Sequence, residues 1–138
     1  MLTEALEAEL LAVATTSRLN AYAPYSHFLV GAAVLGESGR IYGGCNVENA
    51  SFSHTCCAEQ VAVFQAIHSG ERAVKAVLVL TETEPPASPC GACRQVIHEF
   101  GPEADVLLAN QHGIVARHNM AALLPDSFGP ESLRRAQR

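Results

Sequence analysis

The segment Val74 to Leu80 sets the strongest limit on what this chain can fold into. A run of seven residues, apolar but for Lys75 and rich in valine and leucine, suits a strand buried on both faces. Such a strand needs helices above and below it, so the chain must be layered. Its sequence neighbours can supply them. Cys57 to Ser69 reads as a helix closed by Gly70, and Cys90 to Phe100 reads as a second. In the first, Ala58, Ala62 and Ala66 are small enough to lie close against a sheet, and Val61, Phe64 and His68 share another face. In the second, Val96, Ile97 and Phe100 form the apolar side.

The remaining segments extend the pattern. Thr3 to Asn20 reads as a helix with Thr3 as N-cap, Glu4 and Glu7 in the first turn, and Leu6, Leu10, Val13 and Ser17 on one face. Phe28 to Leu35 and Arg40 to Asn46 read as strands of a hairpin about the turn Gly36 to Gly39. Val47 to Thr55 is polar and irregular, and Glu82 to Pro89 is a loop with three prolines. Asp105 to Ala109 and Ile114 to His118 read as two further strands, Met120 to Leu124 as a short helix, and Pro125 to Gly129 as a turn. The expectation is one α/β domain spanning residues 1–138. A chain of 138 residues buries roughly 68% of its unfolded surface, enough for a core without disulfide staples.

Composition excludes several functions. A formal net charge of -5 argues against a nucleic-acid binder, which needs a basic face. The basic residues gather only at the end, in Arg134, Arg135 and Arg138, which read as a solvated tail. The first ten residues have neither a basic start nor an apolar core, so no secretion signal is expected. The apolar runs fall short of the roughly 20 residues that span a membrane. Five cysteines, two of them in a CxxC, then favour metal or redox chemistry over structural disulfides in a cytoplasmic protein. Charged residues make up only 17% of the chain, which points to a surface partly covered by a partner.

The chemistry-bearing residues concentrate in Cys57-Ala58-Glu59 and Pro89-Cys90-Gly91-Ala92-Cys93. Both segments sit where a loop becomes a helix. A helix N-terminus carries about half a positive charge and lowers the pKa of a thiol placed there. Three thiolates fill three corners of a zinc tetrahedron and leave the fourth open, as a catalytic site requires. They also leave the site with a net charge of -1, which the two helix ends offset in part. Cys90 and Cys93, three apart, face one side of a first helical turn. Pro89 stiffens the approach, and Gly91 and Ala92 keep the turn small. Spacing alone allows either Cys56 or Cys57 as the third ligand, but not both, because adjacent helical residues point about 100° apart. Other readings of the cysteines stay open at this level. A CxxC redox pair would leave Cys57 and Glu59 idle, and a closed structural zinc would need Cys56 or Cys45 as a fourth ligand.

Glu59 selects Cys57, because Cys-x-Glu followed by Pro-Cys-x-x-Cys matches the signature of the zinc deaminases. Tyr22 to Ala33, Gly44 to Ala50 and Leu123 to Glu131 extend the match to nearly the whole chain, which resembles the small cytidine deaminase family. The resemblance implies a three-layer α/β/α fold with a central five-stranded mixed sheet. It implies Zn²⁺ held by Cys57, Cys90 and Cys93, and hydrolysis of cytidine and 2'-deoxycytidine to uridine and 2'-deoxyuridine plus ammonia. Glu59 is then the proton carrier. Asn46 and Glu48 would hold the ribose hydroxyls, Phe28 would stack on the pyrimidine, and the Ala58 N–H would bind the base carbonyl. Phe52 and Phe128 would lie near the pocket, with Phe128 reaching a neighbouring subunit's site in a homotetramer. A blasticidin S-type aminonucleoside deaminase and a non-catalytic zinc-binding protein are the alternatives.

One position departs from the family pattern: Gln60 stands where an arginine is usual. Gln60 can donate to sulfur but carries no charge, so a more electron-rich zinc and a slower enzyme than a Gln60→Arg variant are expected.

Overall fold

A computed structural model of the chain describes residues 2–137; Arg138, placed above in a basic tail, lies outside them. The elements are α1 (Glu4–Arg18), β1 (Gly31–Gly36), β2 (Ile41–Cys45), a 3-10 turn (Phe52–His54), α2 (Ala58–His68), β3 (Val74–Leu80), α3 (Gly91–Phe100), β4 (Asp105–Asn110), β5 (Gly113–Asn119), α4 (Met120–Leu123) and α5 (Pro130–Ala136). Among the described residues no helix is long and apolar enough to cross a membrane.

The five strands form one sheet in the order β2-β1-β3-β4-β5. β3 and β4 are parallel, and the other pairs are antiparallel, so the sheet is mixed. β3 lies at its centre and is buried along its length except at Lys75. Alternating residues of the strands feed two cores. Ala32, Val34, Val77, Val79, Val106 and Leu108 pack with Ala58, Ala62, Ala66 and Ile97 on the α2/α3 side. Ala33, Leu35, Ala76, Leu78, Leu107 and Ala109 pack with Leu10 and Ala14 of α1 on the other. Helices on both faces of a mixed five-stranded sheet make the three-layer α/β/α fold that the sequence predicts.

Local structure follows the sequence with four differences. Thr3 caps α1 as expected, its Oγ1 accepting from the Leu6 N–H at 3.1 Å, but Leu10 and Ala14 are the fully buried members of that helix. The strand predicted from Phe28 begins only at Gly31. Phe28 and Val30 spend backbone groups on the Asn46 side chain, which accepts from Val30 N–H at 2.9 Å and donates to the Phe28 carbonyl at 2.7 Å. On α2 the alanine face turns inward, and the face carrying Phe64 and His68 is exposed. Small residues win the sheet side because β2 approaches so closely. A Cβ on Gly44 would stand 2.4 Å from the Ala62 backbone nitrogen and 2.6 Å from the Ala58 carbonyl oxygen. Finally, a helix not expected from sequence, α5, follows Gly129 with Pro130 in its first turn; Arg134 and Arg135 lie on it and are exposed to solvent.

Candidate active site

α2 and α3 bring their N-termini together beside the C-terminal end of β3, where α/β sheets commonly place ligands. Cys57 is the N-cap of α2 and Cys90 the N-cap of α3; neither side chain caps its own helix. Both sulfurs are therefore free to face outward from positive helix ends. Cys93, one turn into α3, is buried. The three Sγ atoms lie within 4.8 Å of one another, and among the described residues they are the group of His, Cys, Asp and Glu side chains that could hold a metal ion. A tetrahedral zinc with Zn–S bonds of about 2.3 Å places its sulfurs roughly 3.8 Å apart. The three cysteines fit that ion. Neither Cys45 nor Cys56 belongs to the cluster, so the open choice between Cys56 and Cys57 falls on Cys57.

The thiols shift one another's protonation in opposite directions. A hydrogen bond from the Cys93 thiol is the main influence on Cys57 and draws its pKa down to about 7, against burial and the Glu59 charge. Cys93 is pushed the opposite way by donating to Cys57 and by burial. Thiolates are the zinc-binding form, so this proton network is what a metal replaces. Gln60, the third residue of α2, donates from Nε2 to Cys93 Sγ at 3.6 Å. It supplies the donor expected at that position without the charge.

Glu59 is 5% exposed and lines the same cavity. Burial pushes its carboxyl above the ordinary carboxylate value; hydrogen bonds from its own backbone N–H and from Cys93 pull part of the way back. A buried carboxyl with a raised pKa beside a metal site is suited to take up and return a proton.

The cavity, about 270 Å³, is lined by Phe28, Asn46, Glu48, Ala58 and Glu59 together with Cys57, Cys90 and Cys93. A larger hollow of about 550 Å³ between α1, β2 and α2 has Cys45 as its sole titratable group, so the smaller cavity is where the chemistry lies. Ala58 opens α2, where the first backbone N–H groups have no partner within the helix. Glu48 is half-buried. Its Oε1 accepts from the Tyr25 and Ser26 N–H groups at 3.0 and 3.1 Å, and its Oε2 accepts from the Ser26 hydroxyl. The Ser26 hydroxyl, above all, holds the Glu48 carboxyl below its usual range, so it stays ionised at the cavity mouth. Asn46 uses its carboxamide on Phe28 and Val30 and keeps one N–H for a ligand. It therefore also fixes the segment that carries Phe28.

Phe52 and Phe128, expected near the pocket, are 74% and 60% exposed and do not line this cavity. Phe52 instead meets Tyr25 edge-on, with ring centroids 5.7 Å apart. Conversely, Ser26, Thr55, Thr81 and Ser88 line the cavity without having been singled out from sequence. Thr81 carried a faint signal as the polar residue that ends the apolar β3 run; it is buried, and its Oγ1 accepts from Ala87 N–H at 3.0 Å.

Comparison with known proteins agrees with this geometry. Residues 5–109 match the family model described as the cytidine and deoxycytidylate deaminase zinc-binding region. A cytidine deaminase of Sporosarcina psychrophila is 49% identical over 126 residues, covering 91% of this chain and 93% of that protein. One from Halalkalibacterium halodurans is 43% identical, covering 90% and 95%. The crystal structure of a cytidine deaminase from Burkholderia pseudomallei superposes with a TM-score of 0.85 at 45% identity, covering 92% of this chain and all of that one. The matched region contains both cysteine-bearing helix starts and the buried glutamate, and this chain belongs to the cytidine and deoxycytidylate deaminase zinc-binding family.

Proposed function

We propose that this chain, as a single unit over residues 1–138, hydrolyses the exocyclic amine of cytidine and 2'-deoxycytidine, giving uridine and 2'-deoxyuridine plus ammonia. The observation that carries the reading is Glu59: a buried carboxyl in the same small cavity as three sulfurs within metal-binding reach. Relatives that are cytidine deaminases along nearly their whole length support the substrate class. Bound through Cys57, Cys90 and Cys93, zinc supplies a Lewis acid that makes water give up a proton near neutral pH.

The chain's residues do the rest. Glu59 accepts a proton from the attacking water and returns it to the ring nitrogen, then to the departing amine. The C4–O bond forms first and the C4–N bond then breaks, so that of the two hydrogens of the consumed water one stays on the ring nitrogen of the product and the other leaves on ammonia. Phe28 stacks on the pyrimidine. The Ala58 N–H, at the positive end of α2, donates to the base carbonyl. Glu48 accepts from a ribose hydroxyl, and the remaining Asn46 N–H donates to one. The carboxylate's hydrogen bonds to Ser26 and Tyr25 keep it aimed before the sugar arrives.

Phe52 and Phe128 enter the reading as contributions to a homotetramer, with Phe128 reaching a partner's site. Their exposure in a single chain supports it. A cytoplasmic location fits the same reading.

The test is zinc content together with the fall in cytidine ultraviolet absorbance on turnover. One zinc per chain with turnover is expected. Glu59→Gln, which is isosteric but cannot shuttle the proton, should retain zinc and lose about 10²–10⁴-fold in kcat. A parent that holds zinc but leaves cytidine and 2'-deoxycytidine untouched would overturn the reading.

A further inference from the structure

The loop that delivers Cys90 has few donors of its own. Glu82 to Pro89 contains Pro85, Pro86 and Pro89, none of which has a backbone N–H. Yet Pro89 is buried, so its carbonyl needs a partner. The partner comes from the helix that follows. Arg94, in the first turn of α3 and next to Cys93, turns its guanidinium back over the loop. Its Nε donates to the Pro89 carbonyl at 2.9 Å and its Nη2 to Ser88 Oγ at 2.9 Å. The third nitrogen, Nη1, donates to the Leu123 carbonyl at the C-terminus of α4, also at 2.9 Å. Its backbone N–H donates to the Cys90 carbonyl at 3.0 Å. One residue thus binds the carbonyls of Pro89 and Cys90, one through its side chain and the other through its main chain.

We propose that Arg94 is a positioning residue for the metal site, holding the Ser88–Pro89 loop against α3 and α4 so that Cys90 is preset for zinc. The proposal rests on zinc being held by the three cysteines. Three sulfurs within 4.8 Å of one another must close to the spacing of one ion. Of the three, Cys93 is buried within α3, and Cys57 is half-buried at the start of α2. Cys90 is exposed and precedes the helix, so its place depends on the loop. A rigid planar fork is what three acceptors in three directions require. A lysine keeps the charge but has a single nitrogen, so it cannot span Pro89, Ser88 and Leu123 together. Ser88 also lines the cavity, so the same fork shapes part of the substrate wall.

The test compares Arg94→Lys with Arg72→Lys in the zinc-loaded chain. Arg72 makes a similar pair of bonds from Nη1, to the Ile67 and Glu71 carbonyls at 3.0 and 2.7 Å, away from the cysteines. Zinc retention is measured by titration with a competing chelator, and thermal unfolding is followed in parallel. Arg94→Lys should weaken zinc retention about 10–100-fold, the usual cost of losing a support behind a metal ligand, whereas Arg72→Lys should hold zinc as the parent does. If Arg94→Lys does not fold, Ser88→Ala removes one acceptor of the fork and should still weaken retention in the same direction. Parent-like retention in the folded variant overturns the proposal, as does equal weakening in both lysine variants. A parent that binds no zinc overturns the metal reading itself, a result distinct from either.

Discussion

α2 and α3 each begin on a cysteine whose side chain makes no capping bond, yet the two starts are held in place by different means. α2 is seated by contact. Ala58, Ala62 and Ala66 lie flat on the sheet, and β2 presents Gly44 where a larger residue would collide with the helix backbone. α3 is seated further along by Ile97, but its first turn and the loop before it are tied by the Arg94 fork. Close packing has little directional tolerance and resists displacement. Hydrogen bonds to a loop allow it to follow a ligand at modest cost. The buried Glu59 rides on the packed helix, while the exposed Cys90 rides on the tied one. The proposed proton carrier is thus fixed by the core, and one of the three proposed metal ligands is fixed by polar contacts.

Gly44→Val breaks the packed seat and should have the largest effect. Its Cβ has no room at 2.4 Å from the Ala62 nitrogen, and backbone cannot swing aside as a flexible side chain can. Overpacking of this kind costs about 1–3 kcal/mol or more. Thermal unfolding should show the loss, and zinc content should fall with it as α2 moves Cys57 away from Cys90 and Cys93. A stable, zinc-replete Gly44→Val protein would mean that α2 is not seated by this contact.

That seat was half legible in the sequence. The alanine stripe announced a helix lying close to a sheet, and the apolar run of β3 announced helices on both faces, since both signals are local and periodic. Cys-x-Glu and Pro-Cys-x-x-Cys marked the two helix starts for the same reason. The contact partner Gly44 was not legible, because its role depends on which strand α2 crosses. The start of β1 was missed because the Asn46 side chain, sixteen residues from Val30, takes bonds that a strand would have used. Thr81, Ser88 and Ser26 were missed as cavity walls because three separate segments deliver them. The exception is α5: Gly129 followed by Pro130 is a local helix-start signal that went unread.

A polar tie away from the site shows how such contacts respond to pH. Glu71 is buried beneath the β1–β2 turn, where it accepts from the Ser38 N–H and hydroxyl and from the Tyr42 hydroxyl. The Ser38 hydroxyl, followed by that of Tyr42, holds its carboxyl below the ordinary value of 4.5. A depressed folded-state pKa adds stability that is fully present above the unfolded pKa and is lost as pH falls through the folded one. Ser38→Ala removes the largest cause. The gap in Tm between parent and Ser38→Ala should be full at pH 7 and should narrow once the pH drops below about 4.5. Zinc release in acid affects both proteins and cancels in the difference. A gap that does not change with pH would mean that Ser38 stabilises the turn without acting on the Glu71 charge.

The smallest expected effect is the most discriminating, because it sets a glycine of the tied helix against the strand glycine that seats the packed one. Gly91 opens α3 between Cys90 and Ala92, and its place in the motif suggested a need for smallness. No protein atom requires it: beyond its chain neighbours, a Cβ there would meet no described atom within 4 Å. Gly91 also lies outside the cavity lining, unlike Cys90 and Cys93. Gly91→Ala therefore adds a methyl in open space and removes chain freedom from the unfolded state. It should stabilise the fold by about 0.4–1 kcal/mol, with zinc retention and turnover as in the parent. A gain in Tm here beside a loss in Gly44→Val would separate a glycine kept for packing from one the described chain does not require. Loss of zinc in Gly91→Ala would instead mean that the bound ion or its ligand fills the space beside that residue, and that the tied start is as crowded in the loaded protein as the packed one.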